Sequence, residues 1–140
     1  MKNELLARPL VPVAHPDDAR ETYEQFRPYL LGSKSVPIVV HVAEKAGGAP
    51  DKSGVEQSQE LAAEAFEMFE GLAETDGIEV ETELLYGTDV AETIHDAAAE
   101  HDASAIVFRS RGGNRWIELL SGNVRANLIA DSDCPVLVLP

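Results

Sequence analysis

Five short apolar runs punctuate this chain, and the way they recur constrains its fold more than any other feature. Residues 10–14 (LVPVA), 36–42 (VPIVVHV), 78–85 (IEVETELL), 105–108 (AIVF) and 135–139 (PVLVL) each have the length of a strand. Most are as apolar as a strand buried on both faces, and residues 36–42 are rich in β-branched side chains. The third run is different: apolar and polar residues alternate, as in a half-exposed edge strand, and its glutamates discourage edge-to-edge pairing. Helical periodicity fills the intervals. Ala19, Tyr23, Phe26 and Leu30 form one stripe, Leu61, Ala65, Met68, Phe69 and Leu72 a second, and Val90, Ile94, Ala97 and Ala98 a third. Residues 124–130 read as a fourth helix. Asp18 with Glu21, and Asp89 with Glu92, have capping-box spacing. Pro28 is expected to kink or shorten the first helix near Arg27, and Asp76-Gly77 to end the second. Residues 43–54, a mixture of glycine, proline and charge, suggest a mobile loop. Strands alternating with helices predict an α/β fold: a parallel sheet with helices on both faces and right-handed crossovers. At 140 residues the chain reads as one domain, 1–140, large enough for a core without disulfides.

In such sheets a ligand sits beyond the carboxyl ends of the strands, where strand order reverses. Loops after the first strand (Ala14, His15) and the fourth (residues 109–115) are expected to meet there. The stretch 105–124, AIVFRSRGGNRWIELLSGNV, runs from buried strand through a glycine-bearing loop to the helix-start signal Ser121-Gly122-Asn123. Bare amides and the positive end of a helix dipole at such a place attract phosphate.

Charge sharpens the point. The chain has 25 acidic residues against 11 basic ones, a formal charge of −14, yet Arg109, Arg111, Arg115 and Arg125 cluster here with Glu118 as the one acid among them. That positive island suggests an anion site. Arginine is equally the residue of internal or intersubunit ion pairs, and the two readings stand level.

The acidity argues against nucleic acid as a partner, since that needs a basic face. Glu56, Glu60, Glu64, Glu67, Glu70 and Glu74 recur at spacings of three and four, a carboxylate stripe unanswered by lysine or arginine. Such a stripe suits a salty solvent, where screening shortens to about 3 Å at 1 M, so a salt-adapted, halophilic protein is expected. No apolar run approaches the roughly 20 residues of a membrane span, the first residues lack the apolar core of a signal peptide, and the single cysteine, Cys134, excludes an internal disulfide. A cytoplasmic protein with no membrane partner follows as the expectation. Cys134 reads as a packed thiol, His41 as a hydrogen-bonded core residue, and His95 and His101 as solvated.

Val11-Pro12-Val13, Val40-His41-Val42, and residues 105–124 running on to Cys134-Pro135-Val136-Leu137-Val138 resemble the universal stress protein family over essentially the whole chain. The resemblance implies the adenine nucleotide alpha hydrolase-like fold, with sheet order 3-2-1-4-5. It also implies a homodimer paired through the last strand, Val136, Leu137 and Val138. Many members bind ATP through G-x2-G-x9-G-[ST], preceded by an aspartate just after the first strand. Here the pattern falls on Arg109, Gly112, Gly122 and Asn123, with Ala14 at the aspartate's place. Gly112 and Gly122 match, whereas Arg109, Asn123 and Ala14 depart. Asn123 can still cap a helix. Arg111 and Val124 keep family character, and Arg125 adds charge. The candidate nucleotide or anion site is therefore Pro12, Val13, Ala14, His15, Val42, Arg109, Arg111, Gly112, Gly122, Asn123, Val124 and Arg125.

The departures weigh against tight ATP binding in the usual pose and leave a phosphate, a nucleotide such as ATP or AMP held differently, or chloride as guests. An empty site with Arg109 folded into it is the competing picture. Hydrolysis needs a positioned base or metal-held water, and this face offers only His15, so no catalytic or metal residue is assigned. The expected function is a non-catalytic stress-response dimer with a degenerate site. The alternatives are an ATP-binding member with slow hydrolysis, or a pure protein-interaction module with a protein partner.

Overall fold

The computed structural model describes residues 5–44, 52–109, 122–130 and 132–140. Strand β1 (Pro9–Pro12) precedes helix α1 (Pro16–Leu30), β2 (Ile38–Glu44) precedes α2 (Lys52–Thr75), and β3 (Glu81–Gly87) precedes α3 (Val90–Glu100). Then come β4 (Ala105–Arg109), α4 (Gly122–Ala130) and β5 (Val136–Leu139). The strands form one sheet in the order β3-β2-β1-β4-β5, every neighbouring pair parallel. The parallel α/β architecture is the one that the alternation of strands and helices predicts, and the strand order is the one that the family resemblance implies.

The period of two along each strand divides the core. Val11, Val13, Val39, Ala105 and Val107 point to the face covered by Tyr23, Phe26 and Leu30 of α1 and Ala65, Phe69 and Ala73 of α2. Leu10, Ile38, Val40, Val42, Ile106 and Phe108 point the other way, under Ile94 and Ala97 of α3 and Leu128 of α4. Tyr23 and Phe69 meet edge to face at 5.2 Å, joining α1 to α2. Each fully buried aromatic or aliphatic side chain of this kind contributes about 1.5–3 kcal/mol.

Local chemistry moves several boundaries. Strand β3 starts at Glu81, later than the alternating pattern begins, because the chain is still closing α2: Ile78 N–H donates to Ala73 O at 2.9 Å and Gly77 N–H to Glu74 O at 3.0 Å. Gly77 sits at φ +72°, the left-handed conformation that such a helix end favours in glycine. Asp76 in that turn accepts from Tyr23 Oη and, bidentately, from Arg27. The Arg27 and Tyr23 hydrogen bonds hold its carboxyl down at about 2.

Three expectations need correction. Asp18 and Glu21 do not form a capping box. His15 is the N-cap of α1, its Nδ1 accepting from Asp17 N–H at 3.3 Å, and Pro16 takes the first helical position. Pro28 does not shorten the helix to Arg27, since α1 continues to Leu30: in the last turn the missing N–H costs only one hydrogen bond, and Leu31 N–H still reaches Arg27 O at 3.0 Å. His95 and His101 are not simply solvated. His95 Nε2 lies 3.0 Å from Leu128 O, linking α3 to α4, and His101 Nε2 lies 2.6 Å from Glu83 Oε1 of β3. By contrast Asp89 caps α3, accepting from Glu92 N–H at 3.1 Å, and buried His41 is hydrogen-bonded, as expected. Most of the suggested mobile loop, residues 45–51, lies outside the described residues.

Candidate functional site

Strand order reverses between β1 and β4, so the crevice that α/β sheets use for ligands opens beyond the carboxyl ends of these two strands. One wall is the turn from β1 into α1. The other is the start of α4, which packs with α3 on the opposite face of the sheet.

The β1–α1 wall is built from backbone groups already in use. Val13 N–H donates to Val40 O at 2.9 Å, and Val13 O lies 3.0 Å from His41 Nδ1. Burial keeps His41 below the ordinary histidine range, so a neutral ring donating from Nδ1 accounts for that contact. Ala14 N–H donates to Asp18 Oδ2 at 2.8 Å. Asp18 is only 1% exposed and also takes the Thr22 hydroxyl at 3.3 Å. Burial pushes its carboxyl up to about 6, against the opposing pull of the Ala14 amide, the Arg109 charge and the Thr22 hydroxyl.

Arg109, the last residue of β4, projects to the α1 face as Ala105 and Val107 do. Its guanidinium, with the side chain 10% exposed, lies 3.8 Å from Asp18 Oδ1 and 3.6 Å from Glu21 Oε2. The crevice thus carries a three-residue charge clamp bridging β4 to the first turns of α1. Two acids there pass in sequence for helix-start residues. That Arg109 faces them depends on β1 and β4 being neighbours.

The remaining candidates divide. Pro12, Val13, Ala14 and His15 stand on the β1–α1 wall beside the clamp. Val42 is buried on the opposite face of the sheet, among residues packed by α3. Gly122 and Asn123 open α4, with Val124 and Arg125 half-buried in its first turn, and no acid lies in that turn. Arg111 and Gly112, with Arg115, fall outside the described residues. Among the described residues no cluster of histidine, cysteine, aspartate or glutamate could hold a metal ion. Nor, among those residues, is any helix long and apolar enough to cross a membrane.

A cavity of about 910 Å³ opens at the other end of the sheet, lined by Ala7, Arg8, Asp102, Ser104, Cys134 and Pro135 among others. Several of its polar side chains are engaged. Arg8 bonds Glu81 and His101 O, Ser104 bonds Leu5 O, and Ser132 bonds Cys134 O. Burial raises the Cys134 thiol above its ordinary range, as expected for a packed thiol rather than a nucleophile. The charged crevice, not this cavity, brings opposite charges together out of solvent.

A family model described as the universal stress protein family matches residues 8–140. Solved structures share the fold. UspA from Lactobacillus plantarum superposes with a TM-score of 0.74 at 22% identity, covering 99% of this chain and 100% of that one. The universal stress protein from Archaeoglobus fulgidus in complex with dAMP gives 0.66 at 22% identity, covering 98% and 100%. A universal stress protein in complex with cAMP gives 0.69 at 16% identity, covering 98% and 99%. Likeness at these identities speaks for the fold alone. No curated protein matches the chain.

Proposed function

The chain belongs to the universal stress protein family, and on that premise we propose that it acts as a non-catalytic regulatory homodimer of single-domain subunits. Each subunit carries an altered nucleotide or anion site at the carboxyl end of its sheet, and the protein works in a salty cytoplasm. The observation that carries the ligand reading is the start of α4. The helix begins at Gly122 with no acid in its first turn, which leaves its positive end suited to a negative guest. The complexes of two fold relatives with dAMP and cAMP make an adenine mononucleotide the first guest to try. The homodimer reading draws on β5. Its sequence VLVL is uncharged, among the described residues it pairs on one side only, with β4, and Val138 is 42% exposed. An apolar, unpaired strand edge of that kind invites a second copy.

Calorimetric titration with AMP and with ATP tests the site, alongside native mass spectrometry of freshly purified protein for carried-over nucleotide. Gly122→Asp places a negative charge at the helix start and is expected to abolish binding, while the unaltered protein binds without turning over ATP. Unchanged affinity in Gly122→Asp removes α4 from the site, and steady release of phosphate from ATP removes the non-catalytic reading.

A further inference from the structure

We infer that the Arg109 guanidinium is this chain's own occupant of the β1–α1 side of the crevice, held there by Asp18 and Glu21, so that an adenine nucleotide enters only by displacing it. The inference rests on the proposed nucleotide site and adds what sets its threshold.

The argument is one of position and of energy. A nucleotide with its phosphate at the start of α4 must lay its sugar and base across the ends of β4 and β1, because those strands are adjacent and the opposite wall is the β1–α1 turn. Arg109 ends β4, and its side chain runs along that path to reach α1 at 3.8 Å from Asp18 and 3.6 Å from Glu21. The pair is not a solvated surface contact. Asp18 is 1% exposed and the Arg109 side chain 10%. Moving the guanidinium aside leaves a buried carboxylate without its counter-charge, which is far costlier than opening a surface ion pair. Two hydrogen-bonding groups on this wall already have partners as well: Ala14 N–H donates to Asp18, and Val13 O accepts from His41. A guest must therefore compete with internal contacts that already occupy this side, and affinity for the nucleoside part is lowered accordingly.

Arg109→Gly removes the occupant. Because that change leaves Asp18 buried without its cation, the pair Arg109→Gly/Asp18→Asn accompanies it: asparagine keeps an acceptor for Ala14 N–H and carries no charge. Melting curves establish that each variant is folded, and calorimetry with AMP at pH 7.5 gives the affinities. The expected result is AMP binding about tenfold tighter, or more, in the variants than in the unaltered protein. If the unaltered protein binds AMP and the folded variants bind it equally or more weakly, Arg109 is a ligand contact or a bystander, and the inference fails while the nucleotide site stands. If neither the unaltered protein nor the folded variants bind AMP, the site itself is wrong and the inference falls with it.

Discussion

Asp18 burdens the folded chain even with three favourable contacts around it. Its carboxyl, held at about 6 against an ordinary 3.8, keeps its proton better folded than unfolded. Between those two values the native state binds more protons, so this group's contribution to stability declines as pH rises from about 4 to about 6 and stays low above that. The shift corresponds to about 3 kcal/mol. Asp18→Asn keeps the acceptor for Ala14 and discards the charge. It should be at least as stable as the unaltered protein at pH 7.5, and should gain less on acidification to pH 5. Urea unfolding at the two pH values reads both effects. A clear loss at pH 7.5 would mean that pairing with Arg109 outweighs the burial of charge. At lower pH the sign reverses through other groups. Asp76, held at about 2 by Arg27 and Tyr23, and Glu81, lowered by Arg8, stabilise the fold while ionised and stop doing so as they protonate. None of this is legible at residue level in the sequence. His15, Asp17, Asp18 and Glu21 all read as helix-start chemistry, and only the packing of β4 beside β1 turns one of them into a buried partner of Arg109.

Secondary elements were far more legible, because their signals are local. Apolar runs mark the five strands of the sheet, three- or four-residue stripes mark α1, α2 and α3, a helix-start signal marks α4, and alternation picks out β3 as an edge. What escaped was chemistry between elements distant in sequence. His95 and His101 lie on a helix whose polar side looks free until α4 and β3 arrive against it. Pro28 looks as if it shortens α1 near Arg27, yet the helix runs on to Leu30. The turn from β3 into α3 shows the same limit. A Cβ on Gly87 would fall 1.9 Å from Thr93 Oγ1, itself bound to Asp89 O at 2.7 Å. Gly87→Ala is thus expected to cost about 1–3 kcal/mol by overpacking. Adding Thr93→Ala should recover part of it in a double-mutant cycle by denaturant unfolding, and strictly additive losses would show that the clash relaxes without cost. The two sheet edges differ in kind as well, glutamate-bearing β3 against apolar β5. Val138→Lys charges the β5 edge, and in light scattering it should shift a dimer toward monomer, with little loss of stability at so exposed a position. A dimer untouched by that change would place the interface elsewhere.

For the molecule as a whole, the dominant quantity is the formal charge of −14. Glu56, Glu60, Glu64, Glu67, Glu70 and Glu74 are all exposed on α2, while the opposite side of the helix buries Ala65, Phe69 and Ala73 against the sheet. Each like-charged neighbour at helical spacing costs about 0.2–0.5 kcal/mol in dilute solution. Molar salt shortens the screening length to about 3 Å, less than the distance between such neighbours, and removes most of that cost. The same screening would blunt a solvent-exposed arginine site by filling it with chloride, whereas the Asp18–Arg109 contact, out of solvent, survives it. Salt should therefore relieve the surface and spare the crevice. The melting temperature is expected to rise between dilute buffer and molar KCl. Because salt also strengthens apolar burial in any protein, the decisive measurement is a difference. Glu60→Lys/Glu67→Lys breaks the stripe at two exposed positions, and should raise the melting temperature in dilute buffer while flattening its dependence on KCl. Parallel salt curves for the two proteins would assign the effect to general salting-out and leave the acidic stripe without a physical role.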